Sequence, residues 1–165
     1  MAERARIRGA QRGSASDLEA LFREHWPRAY RAAYLVVHDA AAAEDIAQEA
    51  FLAAVRSLDR FDRSRPFGPW LHRIAVNRAI DWTRARKLRA EVEERDIDVL
   101  PTEQTADERV LPALAALDPE QRAVIVLRYL LEYTPGEIAE LLELPRGTVN
   151  SRLRRGLDKL REGLE

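Results

Sequence analysis

Thr134 to Arg155 constrains the fold of this chain more than any other stretch. Ile138, Leu141 and Leu142 recur at helical spacing before Leu144-Pro145 interrupts the run. A second apolar stripe follows at Val149, Leu153, Leu157 and Leu160, positions i, i+4, i+8 and i+11. At ~100° per residue, the face opposite that stripe carries Gly147, Thr148, Asn150, Ser151, Arg154 and Arg155. Two short helices crossing at a tight turn, the second with a polar and basic outer face, form the arrangement that enters a DNA major groove. A plain helical hairpin is the competing reading of the same spacing.

Composition removes several other classes. With 46% hydrophobic and 33% charged residues, the chain is globular and not disordered. Its longest apolar runs, such as Val124 to Leu127, fall far short of the ~20 residues of a membrane span. Met-Ala-Glu-Arg at the start lacks the apolar segment of a signal peptide, and there is no cysteine, so a reducing cytoplasm is the expected location. His25, His38 and His72 are isolated in sequence, and none belongs to a metal-spaced pair. Glu44 and Asp45 splay to different sides of a helix, and no phosphate-binding glycine loop or nucleophile elbow is present. No catalytic site, metal or cofactor is therefore expected.

The net charge of −1 hides a segmented pattern. Residues 60–89 hold nine Arg or Lys against Asp62 and Asp81, a balance of +7. Residues 90–109 hold eight acids against Arg95 and Arg109, a balance of −6, and residues 146–165 return to +3. Two basic blocks separated by an acidic one suit nucleic acid better than the overall pI near 6.4 suggests.

The periodicity predicts an all-α fold with no strand. Residues 1–13, rich in arginine and with only Ile7 as a sizeable apolar group, read as a disordered tail. A helix is expected from Ser16 to Val37, kinked or restarted at Pro27, and another over 40–58 capped by Asp39. A third runs from about Pro69 to Ala90. Residues 91–109 read as a flexible acidic linker, and four more helices follow at about 107–116, 119–132, 135–142 and 146–163. Two small helical domains, 14–90 and 110–165, result.

Two further surfaces carry chemistry. On the helix at 40–58, Asp45, Gln48, Glu49, Leu52 and Arg56 line the side opposite a wide apolar face. Leu52 should be exposed there, an apolar anchor inside an acidic rim that suits a basic protein partner. In the next block, Phe61, Phe67, Trp70 and Trp82 are interleaved with Arg60, Arg63, Arg65, Arg73, Arg78, Arg84, Arg86 and Arg89. Rings stack bases while guanidinium groups hold phosphates, so this block suits single-stranded nucleic acid. Trp70, Leu71 and Ile74 read as core, whereas Phe61 sits in a polar loop. Arg73, Asn77, Asp81 and Arg84 share one helix edge, and Asn is able to read a base edge.

Three segments, Ala43 to Leu52, Phe67 to Arg78 and Glu137 to Arg155, resemble in order the motifs of the bacterial sigma-70 family. The similarity is to its short extracytoplasmic-function (ECF) type and extends from about 17 to 163. It implies that Asp45, Gln48, Glu49 and Leu52 dock on core RNA polymerase, within a sigma domain 2 at 14–90. It implies that Phe61, Arg73, Asn77, Arg78 and Arg84 act on the melted promoter −10 element, where a base is flipped out. It gives Arg146, Thr148, Asn150, Ser151, Arg154 and Arg155 to the duplex −35 element, within a sigma domain 4 at 110–165. It also implies an anti-sigma partner, no insertion into a membrane, and a linker running near the polymerase RNA exit path. An adapter mimicking a sigma domain and a simple helix-turn-helix regulator are the alternatives. Three departures stand out: Glu143 occupies a turn position usually held by Gly, so the turn is either reshaped or strained; Arg65-Pro66 stiffens the base-capture loop; and the Arg-rich tail at 1–13 has no counterpart in the family.

Overall fold

Capping chemistry sets three of the described helix starts. The computed structural model of the chain describes residues 2–93 and 109–165. Its helices are α1 (Ala2–Gln11), α2 (Ala15–Val37), α3 (Ala40–Arg56), α4 (Phe67–Glu93), α5 (Val110–Ala115), α6 (Pro119–Ile125), α7 (Pro135–Leu142) and α8 (Arg146–Leu164). No strand occurs among the described residues. None of the described helices is long and apolar enough to cross a membrane. The Asp39 side chain accepts from the Ala42 N–H at 2.9 Å and starts α3, as expected. Thr134 does the same for Glu137 at α7, where Pro135 occupies the first turn. Ser14, not Ser16, caps α2 by accepting from Asp17.

Several expectations are corrected. Residues 2–11 are not a disordered tail but helix α1. Ile7 is fully buried, Arg6 pairs with Glu24 at 2.9 Å, and Glu3 lies 3.0 Å from His25. Gly9 permits this docking: a Cβ there would lie 1.8 Å from the Asp17 carboxylate. Arg4, Arg6 and Arg8 made the segment look solvated, while one isoleucine and one glycine carry its packing. His25, isolated in sequence, thereby gains a carboxylate partner. Pro27 lies within α2, which continues through it as one element. Helix α4 begins before Pro69, at Phe67, and ends beyond Ala90, at Glu93, taking the first residues assigned to the linker. Residues 94–108, the rest of that linker, lie outside the described residues. The stretch read as one helix over 119–132 leaves α-helical register after Ile125. Val126–Leu130 form a π turn, with the Leu131 N–H donating to Val126 O at 3.2 Å.

Two apolar clusters hold the molecule. One, under α1–α4, contains Ile7, Leu21, Phe51, Leu58, Phe67 and Leu71. The other joins the two halves of the chain: Ala33, Val36, Val76 and Ile80 of α2 and α4 pack with Leu114, Leu117, Val124 and Leu127. Within the C-terminal half, Gly156 lets α8 close on α6, since a Cβ would lie 2.7 Å from Ile125 Cδ1. The two helical domains therefore share a core and are clasped together.

Candidate nucleic-acid interface

Helix α3 buries Ala43, Ile46, Ala47, Ala50, Phe51 and Ala54, which turns the opposite stripe outward. Asp45, Gln48, Glu49 and Leu52 are all exposed, Leu52 to 52%. The structure therefore brings these four together on one face, with an apolar side chain framed by carboxylates. Glu49 also reaches sideways to Arg78 of α4, Oε2 to Nη1 at 3.2 Å. The stripe assigned to a protein partner and the helix assigned to DNA thus touch.

Between α3 and α4 the chain makes a single 3₁₀ turn at Leu58–Arg60 and then a polar loop. Asp62 shapes that loop by accepting from the Ser64 N–H at 2.9 Å and the Ser64 hydroxyl at 2.7 Å. These two bonds hold its carboxyl below the usual aspartate range. Phe61 is half-buried, its ring stacked on Trp70 at 4.5 Å and edge-on to Phe67 at 5.9 Å. A cleft of about 850 Å³ opens beside the pair, bordered by Arg60, Arg65, Arg73 and, from the other half, Tyr133, Glu137 and Glu140. The sequence pattern undervalued Trp70. Its side chain packs against the inner cluster and also lines the cleft. Its position nine residues after Phe61, on the first turn of the next helix, was the available signal.

Along α4, Arg73, Asn77 and Arg78 are half-buried and Arg84 is exposed. The three arginines already have carboxylate partners: Arg73 with Glu143 at 2.6 Å, Arg78 with Glu49, and Arg84 with Glu120 at 2.7 Å. Two of these cross to the C-terminal half. Below them, His72 Nδ1 lies 2.8 Å from the Tyr133 hydroxyl. Burial lowers the His72 ring to about 4, helped by His25 and Arg28, so it is neutral at pH 7. Because the native value lies below the free one, the stability gained by burying the neutral ring is fully present above about pH 6.5 and is lost as pH falls towards about 4.

Arg122 of α6 makes a second buried polar crossing. Its guanidinium is buried and donates to the Val36 carbonyl at the end of α2 and to Leu117 O at 3.0 Å. Burial lowers its pKa to about 10, with Asp118 opposing, and the guanidinium remains charged. A cation on the last carbonyls of a helix also meets the negative end of the macrodipole.

The C-terminal pair α7–α8 is built as the spacing predicted. Ile138, Val149 and Leu153 are buried between them. On the outer face Arg146, Asn150, Arg154 and Arg155 are exposed, while Thr148 and Ser151 are half-exposed. Gly147 faces open space, and no side chain caps the start of α8, so its first N–H groups point outward. In the connecting turn Glu143 adopts φ 55° and ψ 46°, the left-handed conformation that glycine favours. The turn keeps its geometry and Glu143 tolerates the strain. Its N–H caps α7, and its carboxylate is held by Arg73.

Residues 21–89 match the model of Sigma-70 region 2, and residues 107–160 match that of Sigma-70, region 4. The chain is 35% identical to the ECF RNA polymerase sigma factor SigW of Bacillus subtilis (strain 168), over 96% of this chain and 95% of SigW. It is likewise 35% identical to SigL of Mycobacterium tuberculosis (strain ATCC 25618 / H37Rv), over 98% and 96%. Among solved structures, CnrH in complex with the cytosolic domain of CnrY superimposes with a TM-score of 0.74 at 29% identity, covering 99% of this chain and 97% of that one. The sigma factor RpoE of Bartonella quintana, solved with the anti-sigma factor NepR, shares the fold at a TM-score of 0.76, with 91% and 98% covered and 21% identity.

Proposed function

Since the chain belongs to the ECF sigma factors of RNA polymerase, and so directs transcription initiation, we propose a division of that work among its three surfaces. Helix α3 docks on core polymerase through Asp45, Gln48, Glu49 and Leu52. The loop after it and α4 act on the melted −10 strand through Phe61, Arg73, Asn77, Arg78 and Arg84. Helix α8 reads the −35 duplex through Arg146, Thr148, Asn150, Ser151, Arg154 and Arg155. Domain 2 then comprises residues 14–90 with α1 added, and domain 4 comprises 110–165.

The observation that carries this reading is the stacked Phe61–Trp70 pair beside a cleft edged by Arg60, Arg65 and Arg73. Extracting a base costs a few kcal/mol. Stacking on an aromatic returns ~1–3 kcal/mol per base, and the arginines add phosphate contacts. A simple helix-turn-helix regulator has no use for such a cleft.

The clasped state is not the promoter-bound one. Elements centred near −10 and −35 lie about 25 base pairs apart, or ~85 Å of duplex at ~3.4 Å per step. A compact chain of this length has a radius of gyration of only ~15 Å. The two halves must part, which frees Arg73 from Glu143 and opens the cleft. An anti-sigma partner, such as NepR is for RpoE, would act by holding the factor away from polymerase.

The docking assignment is tested by Asp45→Arg combined with Glu49→Arg. Two reversed charges in the acidic rim should weaken binding to core polymerase by at least about tenfold, while α8 still binds −35 duplex. Unchanged polymerase affinity would remove α3 from the interface.

A further inference from the structure

Helix α1 ends against the loop that the proposed function places at the −10 base. Gln11, its last residue, directs its side-chain Nε2 at two backbone carbonyls: Leu58 O at 2.8 Å and Phe61 O at 3.2 Å. Both partners are acceptors, so the amide must present its NH₂ group, whose two hydrogens match the two carbonyls. Leu58 and Phe61 bracket the 3₁₀ turn, and the Phe61 N–H itself donates to Leu58 O at 3.1 Å. Gln11 therefore ties both ends of that turn and sets the direction in which the chain leaves Phe61 for Asp62.

The anchor behind Gln11 is firm. Ile7 is fully buried, and Gly9 sits where no side chain fits against Asp17. His25 and Glu24 of α2 hold Glu3 and Arg6. Helix α1 is thus fixed at several points on α2, and its last side chain is spent on the capture loop. The Phe61 ring, stacked on Trp70, depends on the backbone that Gln11 holds.

We propose that Gln11 is a positioning residue for −10 recognition: through the Leu58 and Phe61 carbonyls it presets the capture loop, and so sets base discrimination at the extruded position. The proposal rests on the reading of Phe61 as part of the −10 site. Gln11→Met keeps the length of the side chain without a donor, and Gln11→Glu turns a carboxylate towards the two carbonyls.

The test uses holoenzyme assembled from core polymerase and the full chain, on a promoter selected from a random duplex library by the wild-type factor. Open-complex formation is measured with each of the four bases at the most selective non-template −10 position. Both variants should lose about two- to tenfold in discrimination between the best and next base, the range of one or two lost hydrogen bonds. Affinity for core polymerase and for −35 duplex should not change. Wild-type discrimination in both variants, with Phe61→Ala losing it, overturns the role of Gln11 and leaves the site reading intact. A uniform slowing on all four bases with discrimination preserved reduces Gln11 to a structural residue and also overturns the proposal. If Phe61→Ala discriminates like wild type, the reading of the site fails and the proposal falls with it.

Discussion

On α8 the exposed Arg146, Arg154 and Arg155 engage in no ion pair among the described residues, whereas on α4 Arg73, Arg78 and Arg84 are each paired with a carboxylate. The two faces have the same chemistry and differ in what they touch. The outer side of α8 is complete once α7 and α8 have packed, because among the described residues Arg146, Asn150, Arg154 and Arg155 stay exposed. The α4 face borders α3 on one side and the C-terminal half on the other, so its arginines are shared with both. On the proposed reading, a DNA-binding face built on one helix pair is ready in any state of the molecule. One built at a junction is ready only when the junction opens.

The ion pairs are not what keeps that junction closed. Glu143 is well exposed and Arg73 half-buried at the surface, and such solvent-reached pairs are worth ~0–1 kcal/mol. The shared apolar cluster and the buried Arg122 hold the halves together. Arg122→Ala would leave the Val36 and Leu117 carbonyls without their donor, at a cost of about 2–3 kcal/mol. The expected outcome is a lower melting temperature and an increased radius of gyration by small-angle scattering. The −35 affinity of α8 should stay the same. A variant as compact as wild type would show that the junction does not depend on this crossing.

A smaller effect separates base reading from phosphate holding on the open face. Arg154→Ala should lose ~1–3 kcal/mol of discrimination between the preferred −35 sequence and its single-base variants, seen in competitive duplex binding. Equal weakening on every sequence would make Arg154 a backbone contact. The smallest effect tests the link between the two faces. Glu143→Gly relieves a left-handed residue, worth ~1 kcal/mol, and removes the Arg73 pair, worth ~0–1 kcal/mol. Stability should therefore move by less than about 1 kcal/mol. Binding of a single-stranded −10 oligonucleotide should strengthen slightly as Arg73 is released. A double-mutant cycle with Arg73→Ala isolates the coupling, and a coupling of zero would break the connection between turn and cleft.

Much of the site was legible because it is periodic. The α3 stripe and the α8 face follow from apolar residues three or four positions apart, and the structure exposes those residues together. Asp39 announced the start of α3 through local side-chain chemistry. Helix α1 was not legible, because its packing rests on Ile7 and on the absence of a side chain at Gly9. Trp70 was read as core since an aromatic on an apolar stripe is usually that. Its second role depends on Phe61, which approaches from across a loop.

The amino-acid sequence by itself determined most of the helices, their faces and the family, since periodicity, caps and motif order are properties of neighbouring residues. Glu143 stood out as a departure whose turn would be either reshaped or strained, and the structure keeps it left-handed. Only the tertiary structure decided that the two halves share a core, that Arg73 answers Glu143, and that Gln11 reaches the carbonyls of Leu58 and Phe61. These pairings join residues dozens of positions apart. Such contacts leave no periodic trace and arise only when whole helices pack, because burial of apolar faces sets which polar side chains come within hydrogen-bonding distance.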